Sequence, residues 1–297
     1  MKVNNLKFFL LFLLLTFLSL IPNLLFSQVD TAWVRRYNGP SNGSDCAYGI
    51  SVDHQGNVYV TGQSYDSVSG YDVTTIKYDA NGNEVWVRRY NGLENGDDLG
   101  NAIALDNFGN LYVTGRSWSS ETGFDYITIK YDTNGNEIWV RRYNGPGDST
   151  DEAFAIAVDN SGNVYITGYS YGLDSEKDFA TIKYDANGNE IWVRRYNGPG
   201  NGEDWAEAIA VDNQGNVYVT GHSFGLNTSS DYVTIKYDSN GNELWVKRYD
   251  GPNNYEDVAT DLAIDNNGNV YVTGYSSSSS TGKDYATIKY DNEGNEI

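Results

Sequence analysis

The sequence predicts an all-β fold of repeated, four-stranded antiparallel units, and three observations carry that expectation. Trp33, Trp86, Trp139, Trp192 and Trp245 recur every 53 residues, so residues 33–297 are five back-to-back copies of one unit without insertion or deletion. Self-similarity at a fixed period of this length marks a repeat architecture and takes precedence over any residue-level reading. The composition is rich in tyrosine (25) and glycine (32), and beyond the first 27 residues no stretch has the periodicity of an amphipathic helix. Within each copy, β-branched and aromatic alternation is broken by Gly/Asn turns at short intervals, as antiparallel hairpins require.

Residues 1–27 differ from the rest of the chain. Lys2 and Lys7 precede an apolar run from Phe8 to Leu15 that continues, apart from Thr16 and Ser19, to Ile21; Pro22 and Asn23 break it, and Leu25 and Ser27 precede Gln28 as a small-residue cleavage site. This is the layout of a secretory signal peptide, which leaves 28–297 as the repeat domain. An uncleaved membrane anchor is the weaker reading, because the run is short for a span. Loss of Lys2 and Lys7 takes the formal net charge from −20 to −22, which argues against nucleic acid as partner. Cys46 is the single cysteine, so neither an internal disulfide nor a lipid attachment after the leader is available.

The unit at 45–97 sets the pattern. Ala47–Asp53 is a first strand with small residues alternating with Ile50 and Val52, and Asp53–Asn57 is a tight turn. Val58–Gly62 is a second strand, Ser64–Tyr71 a polar loop, and Asp72–Tyr78 a third strand. Asp79–Asn83 is a second tight turn, with Gly82 supplying a positive φ, and Glu84–Tyr90 is the fourth strand. Four strands in a repeated unit of about 50 residues describe a blade of a β-propeller. Small inward residues on the first strand (Ala102 and Ala104, Ala155 and Ala157, Ala208 and Ala210) suit crowding near an axis. The fourth strand carries the bulk, with Trp86, Arg88 and Tyr90. Its basic pairs Arg35/Arg36, Arg88/Arg89, Arg141/Arg142, Arg194/Arg195 and Lys247/Arg248 read as charge that keeps an outer edge from pairing, in preference to an anion-binding rim.

The phrase Ala-Ile-Ala-Val-Asp-Asn-Gln-Gly-Asn-Val-Tyr-Val-Thr-Gly at 208–221, with its four counterparts, resembles the bacterial SBBP-type β-propeller repeat across essentially the whole of 28–297. The resemblance implies an exported propeller, generally without a defined activity, and brings no functional residues with it. The unit is long for the family, and no sorting or anchoring domain is expected after the last repeat.

Two readings of the array stand. Thr31–Tyr37 has the character of a fourth strand, and pairing it with 259–265, 269–275 and 284–290 gives a closed five-blade ring. Alternatively the array is part of a larger propeller, and the chain a fragment of a larger secreted or cell-surface protein, adhesin-like or a hydrolase, with further repeats or a functional domain beyond residue 297.

The candidate sites derive from the blade scheme. Both tight turns of every unit fall on one face. The connections between second and third strands fall on the other and vary most, carrying Tyr65, Tyr71, Trp118, Phe124, Tyr171 and Phe224. Variable loops on a repeated scaffold are where binding resides, so these aromatics are the candidate contacts for a glycan or a surface protein; the competing reading is that they pack their own loops. Asp45, Asp98, Asp151, Asp204 and Asp257 each precede an innermost strand and would ring a channel mouth, as a cation or polar-ligand site or as acceptors for their own loops. The turns Asp79–Glu84, Asp132–Glu137, Asp185–Glu190 and Asp238–Glu243 have a calcium-loop flavour, but two amides and a misplaced glycine favour a plain hairpin turn. Gly168–Gly172 and Gly221–Gly225 match G-x-S-x-G without the strand-to-helix elbow that this chemistry needs. With His54 on the other face, Ser170 and Ser223 are not expected to be nucleophiles. Two histidines and one cysteine, none clustered, do not form a zinc site. The expectation is a monomeric, exported, non-catalytic binding or structural module with no cofactor.

Overall fold

The computed structural model describes residues 31–297; the leader at 1–27 lies outside the described residues. The chain divides into two compact units, 1–35 and 36–297. Of the first, residues 31–35 are described and carry no strand. The second holds five antiparallel sheets. Sheet one is β1 (Asp45–Val52), β2 (Val58–Asp66), β3 (Gly70–Tyr78) and β4 (Glu84–Tyr90). Sheet two is β5 (Asp98–Leu105), β6 (Leu111–Ser119), β7 (Gly123–Tyr131) and β8 (Glu137–Tyr143). Sheet three is β9 (Asp151–Val158), β10 (Val164–Tyr171), β11 (Lys177–Tyr184) and β12 (Glu190–Tyr196). Sheet four is β13 (Asp204–Val211), β14 (Val217–Phe224), β15 (Ser230–Tyr237) and β16 (Glu243–Tyr249). Sheet five has three strands, β17 (Asp257–Ile264), β18 (Val270–Ser278) and β19 (Gly282–Tyr290), and a short 3₁₀ turn at Pro252–Asn254 precedes it. In every sheet the strand order follows the sequence.

Both tight turns of each blade are built by one aspartate. In the first, Asp53 Oδ1 accepts the N–H groups of Gln55 and Asn57, Oδ2 accepts from the Asn57 amide and the Tyr59 hydroxyl, and Gly56 takes φ +81°. Asp79, Asn81, Asn83 and Gly82 repeat this in the second. The second connection is shorter than the sequence suggests. Tyr65 pairs with Tyr71 and Trp118 with Phe124 across the ladder, so Ser64–Tyr71 is mostly strand, and only 67–69 leave it. Cross-strand aromatic pairs hold the ladder beyond the polar residues that read as loop.

The core lies between sheets. One apolar cluster joins Trp86 of β4 to Val113 and Ile129 of sheet two, another joins Trp139 to Ile166 and Ile182, and two more repeat the arrangement to sheet five. A polar clamp reinforces each junction. Lys130 Nζ and Trp139 Nε1 both donate to the carbonyl of Ala186, at 2.8 and 3.3 Å, and Arg141 donates to the carbonyls of Gly188 and Asn187 in the following turn. Gly188 lies beneath the Trp139 ring, where a Cβ would come within 2.8 Å of it. The second arginine of the pair stays at home: Arg142 bonds Asp125 at 2.8 Å and the hydroxyl and carbonyl of Ser117. The basic pair therefore fastens one blade to the next and braces its own hairpin. It is not the edge guard that the sequence suggested, because its partners stand 47 and 17 residues away and charge alone does not reveal them.

The sheets pack in series, β1 on β5, β5 on β9, β9 on β13 and β13 on β17. The closed five-blade ring is not formed among the described residues. Sheet five lacks a fourth strand, Ile50 and Val52 of β1 are 69% and 57% exposed, and Tyr285 of β19 is 98% exposed.

Candidate binding surface at the bulged inner strands

Every innermost strand contains a β-bulge at the same place. Ala47 pairs with Gly62 and Gly49 with Thr61, leaving Tyr48 unpaired; Asn101, Phe154, Glu207 and Thr260 are the extra residues of the other four. A bulge bends the strand and re-aims the extra side chain. The invariant glycine of Thr-Gly makes room for it. A Cβ on Gly62, Gly115, Gly168, Gly221 or Gly274 would stand 1.9 Å from the carbonyl oxygen of Cys46, Leu99, Glu152, Trp205 or Val258.

Around this fixed device the side chains change chemistry from blade to blade. The bulge column runs Tyr, Asn, Phe, Glu, Thr, and two residues before it the column Cys46, Leu99, Glu152, Trp205, Val258 pairs across the ladder with Gln63, Arg116, Tyr169, His222 and Tyr275. In sheets two to four these residues meet. Glu152, 8% exposed, accepts from Arg116 at 2.8 Å, from the Asn101 amide at 3.0 Å and from the Tyr169 hydroxyl at 3.4 Å. Phe154 stacks on Trp205 with centroids 5.8 Å apart and planes at 12°, and Trp205 stacks on His222 at 6.0 Å and 21°. Tyr169 lies 4.8 Å from Trp205, and Lys177 Nζ stands 4.2 Å from the Trp205 ring while bonded to Glu203 at 3.1 Å.

Burial sets the charge states here. It pulls the His222 imidazole down to about 4 and pushes the Glu207 carboxyl up, with His222 Nδ1 and Glu207 Oε1 3.9 Å apart. At neutral pH His222 is an uncharged ring whose Nδ1 has no hydrogen-bond partner among the described residues. Half-buried π-faces beside satisfied carboxylates and a neutral imidazole can stack on a ring-bearing polar ligand and hydrogen-bond its edge.

The hairpin-tip aromatics mainly form pairs within their own blades. Tyr65 meets Tyr71 edge-on at 5.4 Å, and Trp118 meets Phe124 at 5.1 Å with Arg116 over the Phe124 ring. Phe224 lies against Gly202. Tyr171 alone joins the larger cluster, through Tyr169 and Lys177. The aspartates before the innermost strands tie down their own loops: Asp45, Asp98, Asp151, Asp204 and Asp257 accept the N–H of Gly39, Gly92, Gly145, Gly198 and Gly251. The last four are fully buried and do not open onto a mouth, and burial pushes Asp151 and Asp204 up to about 6. In the Asp-x-Asn-Gly-Asn turns both carboxylate oxygens are taken by the turn itself. Ser170 and Ser223 are buried inside strands and accept from Arg195 and Arg248, so neither is a presented nucleophile. The bulge columns are the feature that sequence reasoning missed. The signal was available, since aligning the five units at the 53-residue period shows these columns varying between constant neighbours.

Among the described residues no helix is long and apolar enough to cross a membrane. The SBBP family, described as "Beta-propeller repeat", matches residues 32–68, 85–121, 138–174, 191–226 and 247–280. The chain is similar to the uncharacterized WD repeat-containing protein L264 of Acanthamoeba polyphaga mimivirus, 27% identical over 156 residues, covering 40% of this chain and 11% of that protein. It is also similar to the regulatory protein FlaEY of Caulobacter vibrioides, 33% identical over 136 residues, covering 41% and 14%. The chain thus spans a small part of the curated relatives it matches. Among solved structures it is similar to the β-propeller domain of the Trilobed protease from Pyrococcus furiosus (11% identity, 84% of this chain and 71% of that one, TM-score 0.48). It is likewise similar to the gluconolactonase XC5397 from Xanthomonas campestris (13% identity, 77% and 69%, TM-score 0.42).

Proposed function

The chain belongs to the SBBP β-propeller repeat family, and on that premise we propose that it is an exported, non-catalytic binding module. Its ligand engages the bulge-bearing face, with Phe154, Trp205 and His222 as the stacking platform and the hairpin-tip aromatics Tyr65, Tyr71, Trp118, Phe124, Tyr171 and Phe224 at the rim. The observation that carries the reading is that, within the strand ladders, blade-to-blade variation converges on one cluster while the neighbouring Thr-Gly positions and the tight turns are held constant. Side chains that vary on an invariant scaffold are free of a scaffold role. The stacked rings and neutral imidazole favour a glycan, or a sugar-like ring on a surface protein, over a polyanion, which the negative net charge repels. The apolar leader supports delivery to the periplasm, the cell surface or the medium.

A glycan array probed with the purified chain tests this. Binding that falls at least about tenfold in Trp205→Ala supports the reading; an array with no hits, or binding indifferent to Trp205→Ala, overturns it. A second reading is favoured by sheet five: its open edge and the exposed face of β1 suit an array that forms part of a larger propeller in a surface protein.

A further inference from the structure

The junction of sheets four and five differs from the others at a residue that touches its buried aspartates. The residue before the glycine whose N–H meets the buried aspartate is asparagine at the three preceding junctions, Asn91, Asn144 and Asn197, and each side-chain amide donates to the residue four further on, at 2.8, 2.8 and 2.6 Å. At the fourth junction the equivalent residue is Asp250, which has no amide to donate. Its carboxylate is exposed and faces two buried ones, Asp231 of β15 and Asp257 of β17, and one oxygen from each of the three lies within 4.8 Å of the others. It is the one such trio of His, Cys, Asp or Glu among the described residues.

The neighbourhood is short of positive charge and of donors. Arg248 bonds Asp231 Oδ2 at 2.7 Å, and Thr228 donates to the same oxygen. Asp257 Oδ2 accepts the Gly251 N–H, and its Oδ1 takes a long contact of 3.3 Å from the Ser277 N–H. One guanidinium therefore stands against three carboxylates. Oγ of Ser276, which is 7% exposed, has no hydrogen-bond partner among the described residues and is the one such serine of the five; Oδ1 of Asp231 is likewise unpaired, as are its equivalents in Asp72, Asp125 and Asp178. Ser276 is not part of the acidic trio, yet its Oγ lies beside Asp257, since a Cβ on Gly251 would stand 2.2 Å from that Oγ and 2.6 Å from Asp257 Oδ1. In the four-stranded sheets the equivalent serines receive an arginine from their own fourth strand.

We propose that Asp231, Asp250 and Asp257 bind one calcium ion at this junction. Calcium takes six to eight oxygen ligands at about 2.3–2.6 Å, so oxygens on opposite sides of it stand about 5 Å apart. Three carboxylates with a hydroxyl at hand supply the hard donors and charge that such an ion needs, and the exposed Asp250 gives it a way in. The ion offsets the uncompensated buried charge and fastens sheet five to sheet four.

Calorimetric titration of the chelator-stripped full chain with calcium chloride tests the site, alongside thermal melts with and without calcium. The expected result is one calcium per chain and a melting temperature raised by several degrees at millimolar calcium. In Asp250→Asn, which restores the residue of the other junctions and so preserves the fold, both effects are lost; its melt in chelator matches or exceeds that of the parent. Absence of calcium binding in the parent chain, or binding in Asp250→Asn within about threefold of the parent, overturns the proposal.

Discussion

The two ends of the same strands behave as different materials. At the turn end, Asp53, Asp79 and their equivalents fill every carboxylate oxygen with turn donors, while at the two middle junctions Lys, Trp and Arg from the preceding blade all donate to turn carbonyls. An asparagine ladder at the 53-residue spacing, Asn107 to Asn160 to Asn213, links the inner turns as well. At the hairpin end the backbone is just as regular, with one bulge per inner strand, but the side chains on it are not. Repetition therefore marks scaffold, and departure from repetition inside a regular backbone marks the surface that is free to specialise.

That contrast is broken most severely at the bulge glycines. Gly221→Ala drives a methyl into the Trp205 carbonyl, with no flexible side chain to yield, and should cost more than about 4 kcal/mol. Gly215→Ala, in the tight turn at the other end of β14 with φ +82°, meets only Ser239 at 3.3 Å and should cost about 1–3 kcal/mol. Urea melts of the two variants rank them, and equal losses would mean that the bulge tolerates a side chain. Trp139→Ala removes the ring that covers Gly188 and touches Tyr112 and Tyr184, and should cost roughly 3–5 kcal/mol in the same assay.

The pH dependence separates groups within the hairpin end. His222 is held near 4 in the folded chain against 6.5 in the unfolded one, so only the unfolded state takes up its proton between those values. Its neutral burial is without penalty above pH 6.5 and costs stability as pH falls toward 4, by up to about 3 kcal/mol. Asp151 and Asp204 act in the opposite sense. Their folded values near 6 exceed the usual 3.8, so they gain stability as pH falls through that window. His222→Gln should thus gain on the parent by about 3 kcal/mol between about pH 7 and pH 4 in paired denaturant melts; parallel curves would mean that the imidazole is solvated. The smallest effect belongs to the hairpin tips. Trp118→Ala loses one edge-on pair with Phe124 and should cost about 1 kcal/mol or less by thermal melt, whereas a loss as large as that of Trp139→Ala would place Trp118 in the core.

The turns, the fourth strand at Glu84–Tyr90 and the blade unit were legible because each rests on local chemistry: an Asp–Asn–Gly turn, an alternating apolar run, a fixed period. The hairpin tips were misread because Ser64–Tyr71 is polar by composition, and cross-strand ring pairing, which extends the ladder, is not a local property. The bulges left no trace in the spacing, since every unit carries the same extra residue and the period absorbs it. The roles of Arg88 and Arg89 were hidden for a related reason: a guanidinium announces charge, while its partner carbonyl at Gly135 is chosen by blade packing.

The claim that variation at the bulges is separable from the scaffold meets its most direct test in one chain carrying Phe154→Ser, Trp205→Ser, Glu207→Ser and His222→Ser. Far-ultraviolet circular dichroism followed through a melt should show the parent β spectrum and a cooperative transition, while glycan-array signals disappear. A chain that fails to fold would show the cluster to be core, and one that folds and still binds the same glycans would place the ligand elsewhere; either result contradicts the account.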